Sequence, residues 1–174
     1  MKVLVAEDEP LFRKLLTELL SPEFELTVVE DGTSALLHLR QQSGPVMAIL
    51  DWVMPGIAGP DLCRELRSDP QTAGTYLILL TVRNSAADII VGLRAGADDY
   101  VTKPVMGDEL RARVRLGCRI LRMQESMDNQ SAALDAALAR ERSLEQNLRS
   151  LESRLAQVEP QLHPLIAAGV SSRR

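Results

Sequence analysis

At 174 residues, with a formal net charge of −4 and two cysteines, the chain has room for one domain of ordinary size plus an appendage. Cys63 and Cys118 show no CxxC spacing and no His near either, so disulfide-framework and metal-thiolate functions have little support, a reducing compartment is expected, and the absence of any apolar run near the ~18 residues of a membrane span points to a cytoplasmic protein without a membrane partner. The charge is divided: residues 1–110 carry nine Lys/Arg against seventeen Asp/Glu, and residues 111–174 carry eleven Arg against seven Asp/Glu, for net charges of −8 and +4.

Met1-Lys2 leads straight into an apolar run rather than a signal peptide. Strands are predicted near 2–6, 25–29, 46–50, 76–80 and 98–101, alternating with helix-period segments, which is the pattern of a parallel sheet buried on both faces. The first helix should be capped by Asp8 or Glu9, take Pro10 at its first position, and bury Phe12, Leu15, Leu16 and Leu19 before Ser21-Pro22 stops it. A second helix should start near Asp31-Gly32 and end before Gly44-Pro45, and a third should run from about Gly59 to Arg67. The fourth has Ser85 and Asp88 as a capping pair and Gly96 where a left-handed residue ends a helix. Asp108 and Glu109 favour the start of the fifth through the helix dipole. The fold class is therefore α/β, a doubly wound five-stranded parallel sheet.

The fifth helix should not stop where a domain of this size would end it. Leu116, Ile120, Met123, Met127, Leu134, Ala137, Leu144, Leu148, Leu151, Leu155 and Val158 recur in steps of four and three, with Gln130 and Glu141 interrupting the seam in register. No Gly or Pro lies between Cys118 and Pro160, and a helix from Leu116 to Val158 would be ~64 Å long. A heptad held this long predicts a coiled coil. Arg140 would face Glu145 of a second copy, Asn147 would face Glu152, and Arg154 would face Glu159, which favours a parallel homodimer over a solvated helix lying on its own domain. The expected domains are 1–118, a coiled-coil extension at 119–159 and an irregular tail at 160–174 begun by Pro160 and Pro164. Arg111, Arg113, Arg115, Arg119 and Arg122 lack interleaved aromatics, so a solvated face, or salt bridges to Asp98 and Asp99 across a dimer, is expected rather than a nucleic-acid partner.

Polar residues stand just past four of the apolar runs: Glu7/Asp8, Asp51, Thr81 and Lys103. In an open α/β sheet these positions meet at the carboxyl edge. Carboxylates at Glu7, Asp8 and Asp51 make an oxygen-rich site suited to Mg²⁺. An accessible Asp51 can attack phosphorus to form an acyl phosphate, with Thr81 offering a hydroxyl to one phosphoryl oxygen and Lys103 a positive charge to another. Lys103-Pro104 is a candidate for a cis bond. Taken singly, each residue has a plainer role: a helix cap for Asp8, a structural hydroxyl for Thr81, a solvated cation for Lys103. Their joint occurrence in order at strand ends favours the phosphoryl-transfer site.

These residues carry a resemblance. Val5-Ala6-Glu7-Asp8-Glu9-Pro10, Leu50-Asp51-Trp52-Val53-Met54-Pro55-Gly56, Leu80-Thr81, Gly96-Ala97-Asp98-Asp99-Tyr100-Val101 and Thr102-Lys103-Pro104 resemble the receiver domain of two-component response regulators over residues 1–118. The resemblance implies a flavodoxin-like receiver with Asp51 as phospho-acceptor, Asp8 and the Val53 backbone carbonyl as direct Mg²⁺ ligands, Glu7 as a ligand through water, and Thr81 with Tyr100 as the switch. It implies a sensor histidine kinase or phosphotransfer protein as partner, and self-dephosphorylation as the chain's own reaction rather than enzymatic turnover. Val82, where the family usually has a smaller residue, would narrow access to the acyl phosphate. A receiver running into a long helix is similar to the first part of regulators ending in diguanylate cyclase or serine-phosphatase modules. The expected function is a phosphorylation-dependent switch relayed through a dimeric coiled coil. Alternatives are a dimerisation scaffold with a vestigial receiver, a fragment of a larger regulator, and a phosphatase-like hydrolase, which Val53 disfavours because it cannot act as the general acid.

Overall fold

A computed structural model describes residues 2–42 and 46–171, with side chains described as far as residue 156. The elements alternate as β1 (Lys2–Ala6), α1 (Pro10–Leu20), β2 (Glu25–Val29), α2 (Gly32–Arg40), β3 (Met47–Asp51), α3 (Gly59–Ser68), β4 (Tyr76–Thr81), α4 (Ala86–Arg94), β5 (Asp99–Thr102) and α5 (Gly107–Ser171). All strand pairs are parallel and the order is β2-β1-β3-β4-β5. The central strands β3 and β4 are buried at every position, as their unbroken apolar runs require, whereas β2 at one edge is only partly covered.

Alternation of side chains across the pleat divides the core in two. One layer joins Leu4, Ala48, Leu50, Leu77 and Leu79 to α2 and α3 through Ala35, Leu36, Leu39, Leu62 and Leu66. The other joins Val3, Val5, Met47, Ile49, Ile78 and Leu80 to α1 and α5 through Leu16, Leu20, Leu110, Val114, Cys118 and Leu121. Gly117 lets α5 lie close on the sheet: a Cβ there would come within 2.2 Å of the Met47 Cε and 2.6 Å of the Tyr76 ring.

Helix ends follow local chemistry. Asp31 accepts a hydrogen bond from the Ser34 N–H at 2.8 Å, and Ser85 accepts one from the Asp88 N–H at 3.1 Å. At the end of α4, Gly96 has φ +106°, its N–H donates to the Leu93 carbonyl, and the Ala97 N–H reaches back to Gly92, completing a Schellman closure. Neither Asp8 nor Glu9 caps α1 through its side chain: Glu9 occupies the cap position and Pro10 starts the helix. The buried stripe of α1 also differs, since Leu15 is half exposed and Leu20 takes its place beside Leu16. Leu20 is the inward position one turn after Leu16, whereas Leu15 is rotated towards solvent.

The chain divides into two compact units, Met1–Glu125 and Ser126–Arg174, so the first unit reaches beyond the expected boundary at 118 because Cys118 and Leu121 still pack in the core. In the second unit every residue from Ser126 to Ala156 is exposed, including Leu134 (61%), Leu144, Leu148, Leu151 and Leu155. Val158 lies outside the residues whose side chains are described. The irregular tail expected from residue 160 is not found: the backbone stays helical through Pro160 and Pro164 to Ser171.

Candidate functional site

The strand register brings the predicted residues to one edge. Ala6 lies beside Leu50, Asp51 beside Leu80, and Thr81 beside Thr102, so the chain leaves the sheet level at Glu7, Asp51, Thr81 and Lys103. Asp51 and Thr81 are the last residues of their strands rather than the first beyond them. The edge between β1 and β3 is also where the strand order reverses, the crevice in which doubly wound folds bind ligands.

Lys103 organises this edge. Its Nζ lies 2.7 Å from Glu7 Oε2 and 2.7 Å from Asp51 Oδ1, and it sits 4.2 Å from the centroid of the Phe12 ring. Burial lowers its affinity for a proton, but the hydrogen bonds to Asp51 and Glu7 outweigh that and hold the ammonium above the ordinary lysine range. Burial pushes the Glu7 carboxyl up; the Lys103 hydrogen bond opposes the rise and the Asp51 charge adds to it. The Lys103-Pro104 bond is cis.

Asp51 is held from its other oxygen, which accepts a hydrogen bond from the Val53 N–H at 3.0 Å. Its loop is shaped by contacts to β4 and to the start of α3: the Trp52 N–H donates to the Leu80 carbonyl and the Gly59 N–H donates to the Trp52 carbonyl, each at 3.0 Å. Gly59 is needed for that approach, because a Cβ would stand 2.4 Å from the Asp51 carbonyl oxygen.

One carboxylate oxygen from each of Glu7, Asp8 and Asp51 falls in a set lying within 4.8 Å of one another. Three hard oxygen donors, with Asp8 exposed enough to leave room for water, fit the needs of Mg²⁺.

The switch candidates meet at the β4–α4 loop. Thr81 is buried and its Oγ1 accepts a hydrogen bond from the Arg83 N–H at 3.1 Å, while the Tyr100 hydroxyl donates to the Arg83 carbonyl at 2.8 Å. The Tyr100 and Trp52 rings meet edge to face at 6.0 Å, and the Arg83 guanidinium lies 5.5 Å from the Trp52 ring centroid. Arg83 also pairs with Asp88 in the first turn of α4.

Sequence reasoning missed Arg83, Trp52, Phe12 and Arg13. Arg13 Nη1 donates to the Glu7 carbonyl at 2.9 Å and the Asp8 carbonyl at 3.1 Å, and Nη2 pairs with Glu30 at 2.8 Å. A guanidinium bound to carbonyls leaves no spacing signature; the one signal was a cation one turn into α1 beside two carboxylates. Of the arginines of α5, Arg113 pairs with Asp99 at 2.9 Å and Arg115 with Glu23 at 2.7 Å, both within the chain, and Asp98 pairs with Arg67 at 2.6 Å. Arg113 also pairs with Glu109 one turn away, so these charges have partners on β5, on the α1–β2 connection and on α5 itself.

The response regulator receiver domain family matches residues 3–115. The chain is 43% identical over 134 residues to the sensory transduction protein RegX3 of Mycolicibacterium smegmatis, covering 76% of this chain and 55% of that protein. It spans about half the length of the curated relatives it matches. Among solved structures, the receiver domain of a Francisella response regulator superposes with a TM-score of 0.62 at 34% identity, covering 67% of this chain and 94% of that one. The receiver domain of the sensor histidine kinase PA1611 from Pseudomonas aeruginosa, solved with a magnesium ion in its active-site cleft, gives 0.59 at 27% identity over 68% and 94% of the two chains.

Proposed function

The chain belongs to the response regulator receiver domain family, and on that premise we propose that it accepts a phosphoryl group on Asp51 from a sensor histidine kinase or phosphotransfer protein and passes the change on through α5. One observation carries the reading: Lys103 bridges Glu7 and Asp51 at a sheet edge that also presents Asp8 and Thr81. In the transfer an Asp51 carboxylate oxygen forms a bond to phosphorus as the bond from phosphorus to the donor's histidine nitrogen breaks, and that nitrogen recovers a proton. Mg²⁺, held by Asp8, Asp51 and the Val53 carbonyl and through water by Glu7, would neutralise charge on the attacking and transferred oxygens. Lys103 then pairs with one phosphoryl oxygen, and the Thr81 hydroxyl donates to another.

The Thr81 hydroxyl can donate while its Oγ1 accepts from the Arg83 N–H, so a shift of Thr81 toward the phosphoryl group would pull on Arg83, whose own carbonyl holds the Tyr100 hydroxyl. Movement at Thr81 is thereby tied to Tyr100 and to the start of α4. Onward relay would run through a parallel homodimeric coiled coil seamed by Leu134, Leu144, Leu148, Leu151, Leu155 and Val158; the row of exposed leucines and the Arg140/Glu145 charge pattern support it. A cytoplasmic location follows from a kinase partner of this class, and no helix among the described residues is long and apolar enough to cross a membrane.

Incubation of the full chain with Mg²⁺ and a small-molecule phosphodonor, followed by intact mass measurement, tests the acceptor. One added phosphoryl group on the wild type and none on Asp51→Asn is expected; equal labelling of both would overturn the assignment.

A further inference from the structure

We infer that Arg13 is a positioning residue for the divalent-cation site, holding the backbone from which Glu7 and Asp8 project. The inference rests on the reading of Glu7, Asp8 and Asp51 as a Mg²⁺ site. The chain leaves β1 at Ala6, and the Glu7 N–H is still held by the Val29 carbonyl at 3.1 Å. Beyond that point no backbone N–H among the described residues donates to the Glu7 or Asp8 carbonyl, although α1 begins close by at Pro10. Arg13 Nη1 reaches back one turn and donates to both carbonyls, at 2.9 and 3.1 Å, while Nη2 is anchored on Glu30 at 2.8 Å. The side chain is 18% exposed, so this guanidinium is a largely covered brace and not a waving surface cation. Two successive peptide planes fixed by one rigid fork fix the Cα–Cβ directions of Glu7 and Asp8, and with them the aim of both carboxylates.

A bracing role and a purely electrostatic role for Arg13 change Mg²⁺ affinity in opposite directions. A guanidinium beside a cation site repels the cation, so removing the charge without any positioning role should tighten Mg²⁺ binding. Removing a brace should loosen it, by about ten- to a hundredfold where an outer partner orients a ligand.

The test is calorimetric titration of the full chain with Mg²⁺, on the wild type, Arg13→Met and Arg13→Lys, with thermal melts in EDTA alongside. Arg13→Met is expected to bind at least about tenfold more weakly than the wild type while melting cooperatively. Arg13→Lys keeps the charge but loses the fork, and is expected to fall between the two. Arg13→Met binding as tightly as the wild type or more so would overturn the inference; if Arg13→Met does not fold, Arg13→Lys binding as tightly as the wild type would do the same. A wild type that binds no Mg²⁺ would instead overturn the reading of the three carboxylates as the cation site.

Discussion

Lys103 and Glu7 set the chemistry of the site at the level of single residues. The Lys103 ammonium lies between the Glu7 and Asp51 carboxyl groups and supplies the positive charge at that point. Burial holds the Glu7 carboxyl above its ordinary value of 4.5, so the folded protein keeps that proton more tightly than the unfolded chain. Its contribution to stability is complete below 4.5 and is lost as the pH rises through the raised value. Lys103 is also raised, above 10.5, so what it contributes persists through neutral pH and is lost only at the alkaline end. In EDTA, thermal melts should show wild-type stability falling relative to Glu7→Gln as the pH climbs from 4.5 towards neutrality. A constant difference between the two would show that folding does not raise the Glu7 carboxyl. The acceptor, the cation carboxylates and Lys103 were all legible as polar residues closing apolar runs. Arg13, Phe12 and Arg83 were not, because a brace on carbonyls, a ring under an ammonium and a backbone carbonyl holding a phenol depend on folded geometry and leave no periodic trace.

Elements were read from the sequence with errors that have physical causes. The strands were placed to within a residue or so because burial on both faces demands continuous apolar runs, and Asp51 and Thr81 remain in the sheet since their backbones still pair with β4 and β5. The α1 stripe was misplaced at Leu15 because four apolar residues in eight offer two overlapping stripes, and packing on the sheet selects the one containing Leu16 and Leu20. Where α5 meets β3 and β4, Gly117 permits contact that no side chain could, so Gly117→Val should lower the melting temperature, with a cost of about 1–3 kcal/mol from overpacking. Leu79→Ala, at the centre of β4 against α3, should cost about 2–5 kcal/mol in urea unfolding. At the functional end of α3, Gly59→Ala would press on the Asp51 carbonyl. Its phosphorylation rate is expected to fall more than its melting temperature, and an unchanged rate would mean that the loop tolerates the shift.

For the whole molecule, the question is what an α5 of 65 residues does beyond the core it helps to build. Its first turns complete the receiver through Leu110, Val114, Cys118 and Leu121, and its later leucines have no apolar partner among the described residues. Exposing Leu134, Leu144, Leu148, Leu151 and Leu155 in water is unfavourable by roughly 1.5–3 kcal/mol per side chain relative to burying it, which is the drive for a second helix to cover them. Leu138, half exposed beside the seam, was not foreseen because it falls outside the three-and-four spacing. Gln130, Ala137 and Glu141 weaken the middle of the seam, so two helices could shift there at low cost when the receiver changes state. Light scattering of the full chain in Mg²⁺, repeated with beryllofluoride as a phosphoryl mimic, tests the dimeric seam of α5 most directly. The account predicts a dimer, either in both conditions or on addition of the mimic, and its loss in Leu148→Lys; a wild-type monomer in both conditions would contradict it.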